Sequence, residues 1–192
     1  MFAKVACVAA LAAAPVAVPS DSIEFVAYPG IYLVRCDEGS GTGFEVGKNH
    51  FLSVAHVTAM HNCTVAGVPI SVTEQDGAHD FSQFDAEIAD KHLRYSCEGF
   101  HAGEWVWAVG YAGGRPIQTA IPAYTTFAKN RDGFRVFIGE HAYIPGMSGG
   151  PVFNSRGEVV GTVNAYVPGT GISMSRDLRE TSICKSGAGD PA

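Results

Sequence analysis

The feature that most constrains this chain is its punctuation. From Ile23 onward, short runs rich in Val, Ile, Phe and Tyr alternate with clusters of Gly, Pro, Asn and Asp. Runs of this length bounded by turn residues read as strands, and segments 31–36, 42–46, 51–55, 64–72, 81–88, 105–110, 134–139, 151–154 and 159–165 are the candidates. Turns at Asp37-Glu38-Gly39, Gly47-Lys48-Asn49, Arg131-Asp132-Gly133 and Ser155-Arg156-Gly157 separate them. The only helical candidates are a turn after His56 and a short piece near Asp177 to Cys184. Such spacing predicts an all-β fold, a barrel or a sandwich. At 192 residues the chain has room for one core or two small barrels sharing an interface. A break around residues 96–103 suits a link between two half-domains, about 23–97 and about 98–185, each contributing one wall of a cleft. Trp105 and Trp107 alternate on one strand and so share a side, where core packing is the simplest role.

Charge narrows the partners. The net charge is −6 and the 13 Lys and Arg are scattered, so no basic stripe exists for nucleic acid. Residues 1–20 open with a single early charge, Lys4, followed by an uncharged run from Val5 to Val18 with alanines suited to cleavage. That pattern fits a secretory signal peptide or N-terminal hydrophobic segment, and the run is shorter than the roughly 20 residues a membrane-spanning helix needs. Setting aside Cys7, which lies in this segment, leaves Cys36, Cys63, Cys97 and Cys184. Four cysteines in an exported chain predict two disulfides with three possible connectivities. Their spacing is too wide for a local zinc site, so no metal and no cofactor are expected. The segment Gly39 to Gly43 lacks the helix and the Lys-Ser/Thr ending of a phosphate cradle and reads as a hairpin.

Three residues carry the chemistry. Ser148 sits in Gly146-Met147-Ser148-Gly149-Gly150-Pro151, a turn that exposes a hydroxyl immediately before a strand. A serine becomes a nucleophile when a base takes its proton and donors hold the oxyanion that forms. Gly146 lets its backbone N–H converge with that of Ser148 as an oxyanion hole. His56 ends the apolar run Phe51-Leu52-Ser53-Val54-Ala55, where an imidazole projects into a cleft as a general base. The base needs a carboxylate to fix its tautomer. Asp80 is followed by Phe81, Ser82 and Phe84, as a half-buried strand starting at the cleft requires, whereas Asp85 is followed by Ala86 and the charged Glu87. Asp80 is the preferred acid and Asp85 the alternative.

The order His56, Asp80, Ser148 resembles the chymotrypsin-like (trypsin-fold) serine endopeptidases, and within them the HtrA-like branch. The resemblance rests on Gly41-Thr42-Gly43-Phe44, Ala55-His56-Val57, Gly103-Glu104-Trp105-Val106-Trp107-Ala108-Val109-Gly110, the serine turn, and Gly157-Glu158-Val159-Val160-Gly161, and spans about Gly30 to Leu178. It implies two six-stranded antiparallel β-barrels with the active site between them. It implies a specificity pocket lined by Ala142 and Tyr143 on one side and by Val163, Asn164, Ala165 and Tyr166 on the other. With no acid at Ala142 and with Val163 where glutamate-cleaving relatives have histidine, an uncharged, small to medium apolar residue is expected before the scissile bond. His141 reads equally as a loop histidine and as a pocket residue. Met147 stands where members activated by propeptide cleavage carry the aspartate that pairs with the new N-terminus, so that route is not expected here. The chain reads as a protease domain alone, with no PDZ module.

The expected function is hydrolysis of peptide bonds in proteins by a Ser-His-Asp triad through an acyl-enzyme, acting on protein or peptide substrates outside the cytoplasm, secreted or periplasmic. The competing readings are a catalytically silent binding module on the same fold and a membrane-tethered or viral-type processing protease. The pattern selects no oligomeric state.

Overall fold

The computed structural model describes residues 24–26, 28–88, 91–139 and 141–185; the expected signal segment lies outside them. Two curled antiparallel sheets build the molecule. The first runs in the order β6 (Val68–Pro69), β5 (Thr64–Val65), β2 (Ile31–Arg35), β3 (Ser40–Gly47), β4 (His50–Ser53), β8 (Phe81–Asp85) and β7 (Ser71–Asp76). The second runs β1 (Glu24–Val26), β10 (Gln118–Lys129), β11 (Arg135–Ile138), β14 (Ile172–Asp177), β13 (Val159–Tyr166), β12 (Pro151–Phe153) and β9 (Trp105–Gly110). Pairing of β9 with both β10 and β12 closes six of its strands into a barrel, and β1 adds to the outside of β10. This is the two-barrel, chymotrypsin-like all-β architecture. Its helices are short: α1 (Ala55–Thr58) follows β4 and α2 (Ser182–Lys185) ends the described chain.

Each sheet folds around its own apolar face. Val34, Phe51, Val54, Val57, Val65 and Phe84 fill the first, and Val106, Ala108, Ile121, Phe137, Val152 and Val163 fill the second. A third cluster draws on both sheets, with Phe44, Leu52 and Phe81 from the first meeting Val109, Phe153, Val159 and Leu178 from the second sheet and its C-terminal flank. Burying such side chains contributes about 1.5–3 kcal/mol each. The candidate site lies along this seam.

Two long strands lie outside the sequence expectation. Strand β10 contains Pro122, which reads as a strand breaker. Pro122 lies opposite Trp107 on β9, while on the other edge the partner changes from β1, ending at Ala120, to β11, beginning at Tyr124. The Pro122 carbonyl faces Gly139 on that edge, and the nitrogen of the same residue faces the same way, so its missing N–H removes no ladder bond. Strand β14 ends in Arg176 and Asp177, both fully buried, which no apolar pattern announces. The two tryptophans reverse their expected side. Val106 and Ala108 point into the barrel and are fully buried, so Trp105 and Trp107 lie half-buried on the outer face, where Trp105 packs edge-on against Tyr124 at 5.6 Å.

The disulfides are Cys36–Cys63 and Cys97–Cys184. The second spans 87 residues and joins the segment between the sheets to α2, a closure that contributes about 4–5 kcal/mol by restricting the unfolded chain. Two disulfides accord with an oxidising compartment. No helix among the described residues is long and apolar enough to cross a membrane.

Candidate active site

His56 stands on the first turn of α1, just past the end of β4, with its side chain 46% exposed. Asp80 occupies the turn before β8 at φ 47°, a left-handed conformation uncommon outside glycine. The two meet at three points. His56 Nδ1 lies 3.0 Å from Asp80 Oδ1 and 2.9 Å from Oδ2, and the His56 backbone N–H donates to Oδ1 at 3.0 Å. From the second sheet, Asn164 Nδ2 donates to Asp80 Oδ2 at 3.0 Å and to its carbonyl at 2.9 Å. The Asn164 Oδ1 in turn accepts from the Arg176 N–H at 2.9 Å and the Thr162 hydroxyl at 3.0 Å. Burial alone would raise the Asp80 carboxyl; the His56 ring, its charge, Asn164 and the His56 backbone outweigh it and hold Asp80 below the usual carboxylate range.

Asp85 is far from this group. It sits at the other end of β8, opposite His50, whose Nδ1 it meets at 2.8 Å. Five residue-to-residue steps separate the two aspartates, roughly 16 Å at about 3.3 Å per step.

The turn carrying Ser148 is pinned through its carbonyls. Pro145 O accepts from Gly113 N at 2.6 Å, and Met147 O accepts from Gly150 N at 2.9 Å. A trans peptide points its N–H opposite its C=O, so the Gly146 N–H is turned away from Gly113 and the Ser148 N–H away from Gly150. Thr42 of β3 holds the two neighbouring peptides. Its N–H donates to Ser148 O at 2.7 Å, its hydroxyl donates to Gly146 O at 2.8 Å, and the same hydroxyl oxygen accepts from Tyr111 N at 3.1 Å. Gly146 adopts φ 93°, and a Cβ there would collide with Tyr111 O and Gly114 N. Met147 is fully buried in the second barrel's core. Gly149 lies against Ser53 Oγ and Thr42 O, which seats the serine turn three residues from His56. Among the described residues, neither Ser148 Oγ nor His56 Nε2 has a hydrogen-bond partner.

The residues expected to line a pocket divide into groups. Tyr143 is buried in the barrel core, its hydroxyl 3.1 Å from Ser175 Oγ and its N–H donating to Ser173 Oγ at 2.9 Å; burial pushes its phenol up. Val163 is buried and exchanges main-chain bonds with Gly149 and Gly150, both 2.8 Å. Ala142 and Ala165 are half-buried, and Tyr166 is exposed. Asn164 is engaged with Asp80. The clamping role of Thr42, Asn164's bond to Asp80 and the part of Arg176 do not follow from the sequence reading. Only Thr42 left a trace there, as the one side chain in the Gly41-Thr42-Gly43 run. A cleft of about 330 Å³ opens beside His56 and Asp80, lined by Ala55, Ala59, Gln75 and Gly77. No group of three or more His, Cys, Asp or Glu suited to a metal occurs among the described residues.

A family model described as the trypsin-like peptidase domain matches residues 41–161, well over half of the chain. Among solved structures, the Rv3671c protease of M. tuberculosis is similar. A serine-to-alanine mutant in its inactive form is 23% identical, with a TM-score of 0.70 over 85% of this chain and 89% of that one. The active form is 22% identical, with a TM-score of 0.71 over 85% and 83%. The serine endoprotease of Yersinia pestis is 20% identical, with a TM-score of 0.68 over 79% of this chain and 60% of that one. At these identities the likeness is one of fold. Comparison with curated proteins gives no match.

Proposed function

The chain belongs to the trypsin-like peptidase family, and on that premise we propose that it is a serine endopeptidase, cleaving proteins through an acyl-enzyme on Ser148. His56 Nε2 takes the Ser148 hydroxyl proton as Oγ attacks the scissile carbonyl carbon, and the carbonyl π pair moves onto oxygen. The N–H groups of Gly146 and Ser148 hold that oxyanion. The pair returns, the C–N bond breaks, and His56 gives its proton to the departing amine. Water then repeats the sequence against the acyl ester, with His56 again as base. Asp80 holds the Nδ1–H tautomer throughout, leaving Nε2 free to accept. The observation that carries this reading is the acceptor-only environment that Asp80 presents to His56 Nδ1, backed by Asn164.

Labelling with a fluorophosphonate followed by peptide mapping tests it. The expected adduct is on Ser148 and disappears in Ser148→Ala; a folded, unlabelled wild type makes the chain a binding module on a protease fold. The substrate residue before the scissile bond is uncharged and small to medium apolar, in keeping with Ala142, Ala165 and the buried, hydrogen-bonded Tyr143. Cleavage profiling on a peptide library reads this directly, and a preference for Lys, Arg or Glu would refute it. The chain acts after export, where its disulfides persist. N-terminal sequencing of exported material distinguishes a cleaved form from one tethered by its first 20 residues.

Thr42 supplies the loop support that Met147 cannot give as an ion pair. Thr42→Val keeps the shape but removes the hydroxyl between Tyr111 N and Gly146 O. Its kcat is expected to fall about 10- to 100-fold with KM little changed, since the loss falls on oxyanion stabilisation. Thr42→Ser, which restores the hydroxyl, is expected to recover most of the rate.

A further inference from the structure

Arg176 is among the largest fully buried side chains, 1% exposed. Burying a guanidinium costs several kcal/mol unless hydrogen bonds and charge compensate. Its Nε donates to His79 O at 3.0 Å and its Nη2 to Asp132 O at 3.1 Å, with the guanidinium carbon 4.0 Å from the Phe134 ring centroid. Among the described residues its one ion pair, to Glu180 Oε2, is long at 3.4 Å, and Glu180 is shared with Lys129. Neutral carbonyls take two of its hydrogen bonds, and the carboxylates around it include Asp80 itself.

Those surroundings are the triad. His79 immediately precedes Asp80, so the guanidinium of a second-sheet strand grips the strained turn of the first sheet. The Arg176 backbone N–H also orients Asn164, whose amide holds Asp80. One residue thus reaches Asp80 by two routes.

We propose that Arg176 is a positioning residue for the Asp80–His56 pair: it seats the Asp80 turn and places a permanent positive charge behind it, setting the pH at which His56 becomes free to act as base. This rests on the endopeptidase reading above. The charged groups around the guanidinium are Asp80, Asp76, Asp132 and Asp177, with Glu180 in contact and the cation Lys129 nearby. His79, the remaining titratable group of the turn, is paired through its ring with Asp76 at 2.5 Å. A cation here opposes protonation of His56, so removing it must move the acid limb of the rate profile to higher pH.

Arg176→Met, Arg176→Lys and Glu180→Gln distinguish this from a merely structural role, with kcat/KM measured against pH and the His56 ring titration followed by NMR. In Arg176→Met both the acid limb and the ring titration are expected to move up by about half a unit to one unit, the size of a screened interaction with a charge several ångströms away. Arg176→Lys keeps the charge but loses the two-carbonyl fork; its limb is expected to stay in place while kcat falls about tenfold. Glu180→Gln strips compensation from the cation, and its limb is expected to move slightly down. An unmoved His56 titration in folded Arg176→Met overturns the proposal. Should that variant fail to fold, an unmoved Glu180→Gln limb together with wild-type kcat in Arg176→Lys overturns it instead. A wild type that hydrolyses nothing, yet whose His56 titration moves as expected among the variants, sinks the endopeptidase reading and leaves the electrostatic coupling standing.

Discussion

Ser148→Ala is expected to lower kcat by about 10⁶, with His56→Ala close behind and the double variant no slower than either single one. The non-additivity follows from division of labour. Without the hydroxyl there is no proton for His56 to take, and without His56 the hydroxyl stays a poor nucleophile. Activity above the uncatalysed rate should survive in all three, because the Gly146 and Ser148 N–H groups are main-chain and are fixed by Pro145 O and Met147 O. Steady-state rates on one peptide ester, with circular dichroism to confirm folding, check it. A double variant far slower than the singles would place the nucleophile or the base elsewhere.

The second large effect belongs to Asp80. Asp80→Asn is expected to cost about 10⁴ in kcat, whereas Asp85→Asn should change it less than twofold. Around Asp80 every neighbour is a donor: the His56 N–H, the His56 Nδ1–H and the Asn164 amide. A carboxylate accepts at both oxygens, but an amide can accept at only one. Whichever way the asparagine turns, its NH₂ meets either the His56 backbone N–H or the Asn164 amide and lies beside His56 Nδ1, where it favours the tautomer that cannot take the serine proton. The same contacts make Asp80 a pH-linked group. Its folded-state value lies below its unfolded one, so it contributes stability above about pH 4 that is lost as pH falls through the depressed value. In Asp80→Asn that acid-side loss should diminish, measurable as a flatter dependence of Tm on pH on the acid side of the ordinary carboxylate range.

Much of this was legible because strand patterns and turns are local. Ala55-His56 after an apolar run, the large-small-large spacing behind Asp80 and the glycines around Ser148 each mark their own position without reference to the rest of the chain. What escaped depends on contacts between distant segments. Pro122 is acceptable in a strand only because β1 stops and β11 starts on either side of it. Strand β14 hides because its buried end is Arg176 and Asp177, a charged pair satisfied by carbonyls and the Phe134 ring and by Arg179 respectively. Resemblance puts Asn164 beside the pocket, and nothing local announces that its amide donates to Asp80 from across the seam. The side on which Trp105 and Trp107 lie could not follow from alternation alone, since either face of a strand can be the inner one.

The support of the reactive groups is exchanged between the barrels. On the endopeptidase reading proposed above, the first sheet bears the base His56, yet the turn of its acid Asp80 is bonded by Asn164 and Arg176 of the second; the second bears the nucleophile Ser148, yet its turn is clamped by Thr42 of the first. Neither half owns a working set. On that reading, catalytic competence is expected to be a cooperative property of the closed seam, with partial opening releasing both reactive groups together.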